Sequence, residues 1–243
     1  MPHFFVPPEN IDNGIFVLTG SEAHHLATVR RCTSGSVIDL FDGTGKTYVG
    51  TVTSVTHNEI KGTIVPKEDS VSPSVAICLY NAVPKGDRFD WLVEKAAELG
   101  VAVVVPMITQ RSVIKDISEA KIERWNRLSR AASQQSARTD VMRVETPLSF
   151  DAAVEKTASL SSTRIIAWEG EETRTMQTIP QLSHPATEVS IFIGPEGGFS
   201  MREIEHAIKY SVIPVTLGKN VLRVETAGIL ATILAMNLAG QYT

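Results

Sequence analysis

Two stretches near the carboxyl end of the chain decide the fold: VSIFIGPEGGFS at residues 189–200 and LGKNVLRVETAG at residues 217–228. Each continues a short apolar segment, typical of a buried parallel strand, through a glycine turn into a helical pattern. Glycines let the backbone turn sharply and expose amide groups where side chains would obstruct a ligand. Two successive strand ends of this kind predict a ligand-binding crevice at the carboxyl edge of a parallel sheet.

The sequence around these stretches predicts an α/β domain. From about residue 73 onward, apolar strand patterns alternate with helical patterns, as at 75–83 (VAICLYNAV), 101–108 (VAVVVPMI) and 164–169 (RIIAWE). This alternation predicts a mainly parallel sheet covered by helices. One long helix is predicted near 118–136. The final helix, from about 225 to 240, is apolar on nearly all sides, which predicts burial against both the sheet and a partner subunit.

The first 72 residues follow a different pattern. Short alternating segments such as SVIDLF and KTYVGTVTSV, separated by Gly, Asn and Asp turns, predict a small β-rich domain. The expected domains are therefore 1–72 and 73–243, joined by a linker with the sequence KEDSVSPS at 67–74. DGTGKT at 42–47 resembles the end of a phosphate-binding loop. A strand pattern follows it where such a loop requires a helix, so a hairpin turn is predicted instead.

The composition is that of an ordinary globular protein, with 43% hydrophobic and 21% charged residues in 243. These values exclude collagen-like, coiled-coil and disordered chains. The two cysteines, Cys32 and Cys78, are far apart and lack metal-ligand spacing, so we expect no disulfide, no metal site and a reducing cytoplasm. The sequence contains no recognisable export signal or membrane span, which favours a cytoplasmic protein without a membrane partner.

Taken in order, the motifs resemble a known family. GPEGGFS followed by LGKNVLRVETAG is similar to the two signature loops of the SPOUT class of methyltransferases, and more narrowly of the RsmE family, which methylates small-subunit ribosomal RNA. Further segments agree with that family: 24–43 (HHLATVRRCTSGSVIDLFDG), 85–101 (KGDRFDWLVEKAAELGV), 111–113 (RSV) and 133–138 (SQQSAR). Asn220 stands where the family more often has arginine, and Gln134 and Ala137 replace its usual Glu and Gly.

The resemblance implies a PUA-like β-barrel at 1–72 and a SPOUT α/β domain with a deep trefoil knot at 73–243. It also implies a homodimer with the apolar final helix at the interface, and S-adenosylmethionine as the cofactor. The residues expected to bind that cofactor lie at three strand ends: Trp168, Glu169, Ile193, Gly194, Pro195, Glu196, Gly197, Gly198, Leu217, Gly218, Val221, Leu222, Arg223, Thr226 and Ala227.

The resemblance further implies methylation of N3 of one uridine in the decoding region of 16S rRNA, within the assembled 30S subunit. This nitrogen carries a proton that must leave, so a general base or a cation that stabilises the uracil anion is required. We expect Arg223 to face the uridine and either Glu196 or Glu225 to accept the proton. Each of these residues can alternatively cap a helix or pair with a neighbouring charge.

A local basic surface favours RNA binding although the net charge is −4. Residues 109–143 carry eight basic and four acidic side chains, against five and eight in residues 1–72. The residues expected to contact RNA phosphates are Arg30, Arg31, Arg111, Lys121, Arg124, Arg127, Arg130 and Arg138. The alternative is a solvated basic face without a partner.

Two other functions compete with methyl transfer. One is an α/β enzyme that binds a nucleotide such as ATP or NAD through the GPEGG turn and acts on a small molecule. The other is an RNA-binding or ribosome-assembly module that keeps the fold without catalysis. Selective cofactor binding and methyl transfer on small subunits distinguish the three.

Overall fold

The computed structural model describes residues 3–67, 75–182 and 188–241. The chain separates into two compact units, one comprising Met1–Ser72 and Ser133–Val141, the other Pro73–Ala132 and Met142–Thr243. The predicted division at residue 72 did not include Ser133–Val141 in the first unit. Apart from Lys67, the predicted linker lies outside the described residues.

A six-stranded sheet forms the first unit. Its strands are β1 (His3–Phe5), β2 (Ile11–Asp12), β3 (Ile15–Thr19), β4 (Val37–Phe41), β5 (Thr47–Val55) and β6 (Glu59–Pro66), with a short helix α1 (Gly20–His24) after β3. The strand order is β1-β4-β5-β6-β3-β2, antiparallel except for the β1–β4 pair. Alternating residues such as Phe16 and Leu18 pack inward into one apolar core, which explains the period-two pattern of the sequence.

The predicted hairpin at DGTGKT is confirmed, because β4 and β5 pair antiparallel on either side of the turn. The buried carboxylate of Asp42 organises it. Oδ1 accepts hydrogen bonds from the backbone N and Oγ1 of Thr44, at 2.8 and 2.7 Å, and Oδ2 accepts one from the Tyr48 hydroxyl at 3.1 Å. Residues 42–47 therefore form a rigid turn between strands.

Backbone pairing attaches Ser133–Val141 to the first unit. Asp140 forms β-bridges with Gly43 and Thr44, and the Val141 amide donates to the Gly43 carbonyl at 3.1 Å. The side-chain amide of Gln134 donates to the His3 carbonyl at 3.1 Å. These contacts join positions 96 to 131 residues apart, and no local sequence pattern predicts them.

The second unit is a seven-stranded sheet in which every pairing is parallel. Its strands are β7 (Ala76–Ala82), β8 (Val103–Ile108), β9 (Arg143–Val144), β10 (Leu148–Ser149), β11 (Thr163–Ala167), β12 (Glu188–Ile193) and β13 (Ile213–Val215). The order is β10-β8-β7-β12-β11-β13, with β9 also paired to β8. The predicted mainly parallel α/β fold is confirmed.

Helices cover both faces of this sheet. They are α2 (Arg88–Leu99), α3 (Glu119–Gln135), α4 (Phe150–Ala158), α5 (Met201–Lys209) and α6 (Val224–Leu238). Helices α2 and α6 pack together over the centre of the sheet, whereas α4 and α5 pack together on a separate apolar cluster. No helix in the described part of the chain is both long and apolar enough to cross a membrane. The trefoil knot stays a prediction.

Candidate active site

A cavity of about 400 Å³ lies at the carboxyl ends of three adjacent strands, β12, β11 and β13. Because these strands are parallel neighbours, the loops that follow them meet at one edge of the sheet. The cavity is lined by Ala167, Trp168, Glu169, Ile193, Gly194, Pro195, Glu196, Gly197, Gly198, Phe199, Thr216, Leu217, Gly218, Lys219, Asn220, Val221, Leu222, Val224 and Ala227. Its volume lies within the range of roughly 300–1,000 Å³ usual for small-molecule sites.

The cavity brings together nearly all residues expected to bind the cofactor. Only Arg223 and Thr226 of that set lie outside its lining. The prediction omitted six lining residues: Ala167, Phe199, Thr216, Lys219, Asn220 and Val224. Ala167, Phe199 and Thr216 directly adjoin predicted residues, and Lys219, Asn220 and Val224 lie within the 217–228 stretch itself.

The glycine turn after β12 approaches the Glu169 side chain closely. Gly198 has φ +66°, a left-handed conformation that favours glycine. A Cβ at this position would lie 2.0 Å from Oε1 of Glu169, so any larger residue would displace that carboxylate. The sequence requires glycine here for both conformation and space.

A buried capping box fixes the start of α5. Ser200 Oγ accepts a hydrogen bond from the Glu203 amide at 3.4 Å, while the Ser200 amide and hydroxyl donate to Oε2 of Glu203 at 2.8 and 2.9 Å. The S-x-x-E spacing predicts this arrangement. Oε1 of Glu203 also accepts the Gln110 amide at 2.8 Å, a contact that the spacing does not reveal. Glu203 is only 1% exposed, and its hydrogen bonds compensate its burial.

Arg111 contacts the glycine turn directly. Its Nη1 donates to the Gly197 carbonyl at 2.9 Å and, over a longer 3.4 Å, to the Phe199 carbonyl. Arg111 was predicted to contact RNA. In the structure its guanidinium holds the backbone of the cavity wall.

Backbone hydrogen bonds fix β13 and the loop that follows β11 in place at the cavity. The Thr216 amide donates to the Arg174 carbonyl at 2.9 Å, and the Trp168 amide donates to the Val215 carbonyl at 3.0 Å. Arg174 belongs to a turn organised by Glu171. The Glu171 carboxylate accepts hydrogen bonds from three donors: the amides of Arg174 and Thr173 and the Thr173 hydroxyl. These hydrogen bonds favour the ionised carboxylate and lower the pKa of Glu171 to about 2.

The three candidate catalytic residues lie in different surroundings. Arg223 is exposed and precedes the first residue of α6. Glu196 lines the cavity, where its Oε1 accepts the Lys85 amide at 3.2 Å and lies 3.9 Å from Nη1 of Arg88. Glu225 is buried, and its Oε2 has no hydrogen-bond partner within the described residues.

Two of the predicted RNA contacts form ion pairs within the protein. Arg124 pairs with Asp90 on α2, whose carboxylate also accepts the indole N–H of the buried Trp125 at 2.7 Å. The guanidinium of Arg138 donates two hydrogen bonds to the Asp140 carboxylate, from Nε to Oδ1 at 3.2 Å and from Nη2 to Oδ2 at 2.5 Å. The Arg138 side chain is only 10% exposed. The Arg138 side chain is thus largely enclosed, whereas that of Arg124 is 57% exposed beside its ion pair.

The other predicted RNA contacts have exposed side chains: Arg30, Arg31, Lys121, Arg127 and Arg130. The first two lie in the first unit, and the other three lie on α3. Exposed cationic side chains favour phosphate contact because they neutralise phosphate charges and release the counterions bound to the RNA.

The three departures from the family pattern have structural consequences. Gln134 donates from Nε2 to Glu22 at 3.2 Å in addition to His3. Ala137 has φ +58°, a left-handed conformation in which the family's usual glycine is favoured. Asn220 lines the cavity.

Among residues 3–67, 75–182 and 188–241, no cluster of three or more His, Cys, Asp or Glu side chains is arranged to hold a metal ion. The polar side chains in the cavity lining are instead those of Glu169, Glu196, Thr216, Lys219 and Asn220. Together with the apolar side chains they can hold an organic ligand.

The chain matches a family model described as an RNA methyltransferase domain over residues 71–236, and a model of an RNA methyltransferase PUA domain over 18–65. Ribosomal RNA small subunit methyltransferase E from Synechocystis is 30% identical over 91% of this chain and 73% of its own. A crystal structure of that enzyme from Neisseria gonorrhoeae, bound to S-adenosyl methionine, is 30% identical over the whole of both chains, with a TM-score of 0.87.

A methyltransferase from Legionella pneumophila, solved with bound SAM, is 27% identical over 97% of this chain and 96% of its own, with a TM-score of 0.83. Fold, cavity and these similarities define an RNA methyltransferase with an N-terminal PUA-like domain. The chain belongs to the RsmE family, as its motifs indicate.

Proposed function

We propose that this protein transfers a methyl group from S-adenosylmethionine to N3 of one uridine in the decoding region of 16S rRNA, acting on the assembled 30S subunit in the cytoplasm. The observation that carries the proposal is the cavity built from three strand-end loops, because it gathers the residues of both glycine motifs. Two similar proteins of known structure are described with this cofactor bound.

The cavity residues fit that cofactor. Trp168, Leu217 and Leu222 offer apolar surface for a purine ring, and the carboxylate of Glu169 offers acceptors for hydroxyl or ammonium groups. The absence of a side chain at Gly198 leaves room for the Glu169 carboxylate beside the turn. S-adenosylmethionine supplies an electrophilic sulfonium methyl group when it is bound.

The residues of the chain must handle the uridine's charge and proton. N3 lies on the pairing edge, so the base must leave its stack to reach the cavity. Arg223 stabilises the negative charge that develops on the uracil carbonyl oxygens. The proton goes to Glu196 at the cavity or to Glu225, whose Oε2 has no hydrogen-bond partner among the described residues and so has lone pairs available.

RNA contacts come from the exposed cations of both units, Arg30 and Arg31 in one and Lys121, Arg127 and Arg130 in the other. Phosphate contacts of this kind position the substrate without reading its sequence. In the same proposal, a PUA-like domain at 1–72 binds RNA and a methyltransferase domain at 73–243 transfers the methyl group.

The proposal includes a homodimer formed through α6. This helix buries Ala231 and Ala235 against its own unit, yet Ile233 remains 38% exposed between partly exposed Leu230 and Leu234. An apolar stripe on an already buried helix favours a second copy as its partner. Ile233→Glu should convert a dimer to a monomer in sedimentation experiments.

The decisive test mixes purified protein, radiolabelled S-adenosylmethionine and small subunits from cells lacking the gene, followed by mass spectrometry of the labelled nucleoside. We expect 3-methyluridine at a single decoding-region position. Subunits that bind the protein and acquire no label would favour the noncatalytic module. Selective binding of ATP or NAD would favour the nucleotide-binding enzyme.

Arg223→Ala should reduce kcat by roughly 10²–10³-fold while cofactor affinity stays close to wild type, because one charge-stabilising group is lost. Glu196→Gln and Glu225→Gln then separate the two proton acceptors, since only the true base should shift the pH profile of kcat. Wild-type turnover in Arg223→Ala would discard the assignment of this arginine.

A further inference from the structure

The segment that follows β8, residues 109–115, is bound to the glycine turn at 194–200 through side chains on both sides. Arg111 reaches from the segment to the carbonyls of Gly197 and Phe199. Glu203 reaches from α5 to the Gln110 amide. We call residues 109–115, which make these contacts, the 109–115 brace.

The brace is itself rigid. Nζ of Lys115 donates to the carbonyls of Thr109 and Gln110 at 2.8 and 2.9 Å. Ser112 Oγ accepts the Thr109 amide at 2.9 Å and lies 2.9 Å from the Thr109 hydroxyl. A segment whose own backbone is fixed by side chains can transmit a fixed position to its neighbour.

Glu203 holds the brace and the start of α5 together through both oxygens of its carboxylate. Both carboxylate oxygens are used, one by Gln110 and the other by Ser200, and the side chain is 1% exposed. Displacing the brace would leave a buried charge with an unsatisfied oxygen, which is costly.

The contact between Arg111 and the turn is also steric. A Cβ at Gly197 would lie 3.2 Å from Cβ of Arg111, so the arginine stem already packs against the turn's backbone. Gly197 and Phe199 both line the cavity. The guanidinium therefore acts on the ligand-facing wall, although the residue itself lines no part of the cavity.

We propose that Arg111 is a positioning residue that holds the 194–200 turn in its cofactor-binding shape, and that it makes no RNA contact. The inference rests on the proposed binding of S-adenosylmethionine in this cavity. Without the guanidinium, the turn populates other shapes and only a fraction of molecules is competent to bind. The apparent dissociation constant rises by the inverse of that fraction.

We expect Arg111→Ala to raise the dissociation constant for S-adenosylmethionine about tenfold or more, in line with the loss of a hydrogen bond from a charged group. Arg111→Lys keeps the charge and can donate to one carbonyl, so it should restore part of the affinity. The KM for the cofactor should rise, whereas kcat at saturating cofactor and affinity for small subunits should stay close to wild type.

The matched control is Arg202→Ala. Arg202 lies next to Glu203 on α5, but its side chain is 68% exposed and pairs with Asp151 at 2.7 Å. This variant removes the same charge from the same region without touching the turn, so cofactor affinity should not change. Isothermal titration with S-adenosylmethionine, filter binding to small subunits and thermal unfolding without cofactor are measured for all variants.

The outcomes separate the possible roles. Weaker cofactor binding with unchanged subunit binding, and partial rescue by lysine, supports the proposal. Unchanged cofactor affinity with weaker subunit binding assigns Arg111 to RNA and overturns it, as does an equal loss in Arg202→Ala. Arg111→Lys keeps the test decisive if Arg111→Ala does not fold. If the wild-type protein binds no S-adenosylmethionine, the proposed function fails as well, a result distinct from normal binding by both wild type and variant.

Discussion

Replacing Gly198 with alanine is expected to damage the cavity in two separable ways. An alanine at φ +66° costs about 1–2 kcal/mol of stability, because its Cβ crowds the backbone in the left-handed region. The new Cβ would also lie 2.0 Å from Oε1 of Glu169, whereas ordinary contact begins at 3.4 Å. The carboxylate must therefore move by about 1.4 Å, the difference between these two distances.

The displacement should be visible as lost cofactor affinity. If Glu169 accepts a hydrogen bond from the cofactor, its loss costs roughly 1.5–3 kcal/mol, or about a ten- to hundred-fold higher dissociation constant. Gly20→Ala is the matched control, since Gly20 has φ +64° and a Cβ there would meet no atom of the described residues within 4 Å. In urea titration, Gly20→Ala should lower the free energy of unfolding about as much as Gly198→Ala does. In calorimetry it should bind S-adenosylmethionine with wild-type affinity.

A double mutant completes the test. In a Glu169→Ala background the carboxylate is absent, so Gly198→Ala should cost little further affinity. Fully additive losses from the two substitutions would show that they act independently. That result, or wild-type affinity in Gly198→Ala itself, would refute the reasoning.

Two further predictions concern titratable groups outside the cavity. Burial, and secondly the negative charge of the nearby Glu188, raise the pKa of the Cys78 thiol to about 12. In a Cys32→Ser variant, where Cys78 is the remaining cysteine, thiol reagents at pH 8 should therefore react only after the protein is denatured. Rapid labelling of that native variant would contradict this. The lowered pKa of Glu171, about 2, means that its contribution to stability is present above the unfolded value near 4.3 and is lost as pH falls through 2. Carbon-13 NMR of the carboxyl should follow this titration, and Glu171→Gln should remove that pH dependence of unfolding.

The cavity could be predicted from the sequence because its determinants are local. Each wall is a glycine-containing stretch directly after an apolar strand, and parallel strands bring such stretches to one edge. The capping box of Ser200 and Glu203 was readable for the same reason, since its partners are three residues apart.

The partners of the arginines could not be predicted in this way. Arg111 and Gly197 are 86 positions apart, and Arg124 and Asp90 are 34 apart. A basic run in sequence specifies charge, but the tertiary fold decides which charges an internal carboxylate or carbonyl uses. Arg138 differs because its partner Asp140 is only two residues away, but this spacing does not show that the Arg138 side chain is just 10% exposed.

The order of the walls along the chain has a consequence for synthesis. The three walls begin at Ala167 and end at Ala227 on α6, so the cavity is assembled wholly from the last part of the described chain to be translated. A nascent chain can form the first unit's six strands early, yet it has no closed cofactor site until Ala227 has emerged. An enzyme whose proposed substrate is a ribosomal subunit therefore cannot bind its cofactor while the residues before 227 are still being translated.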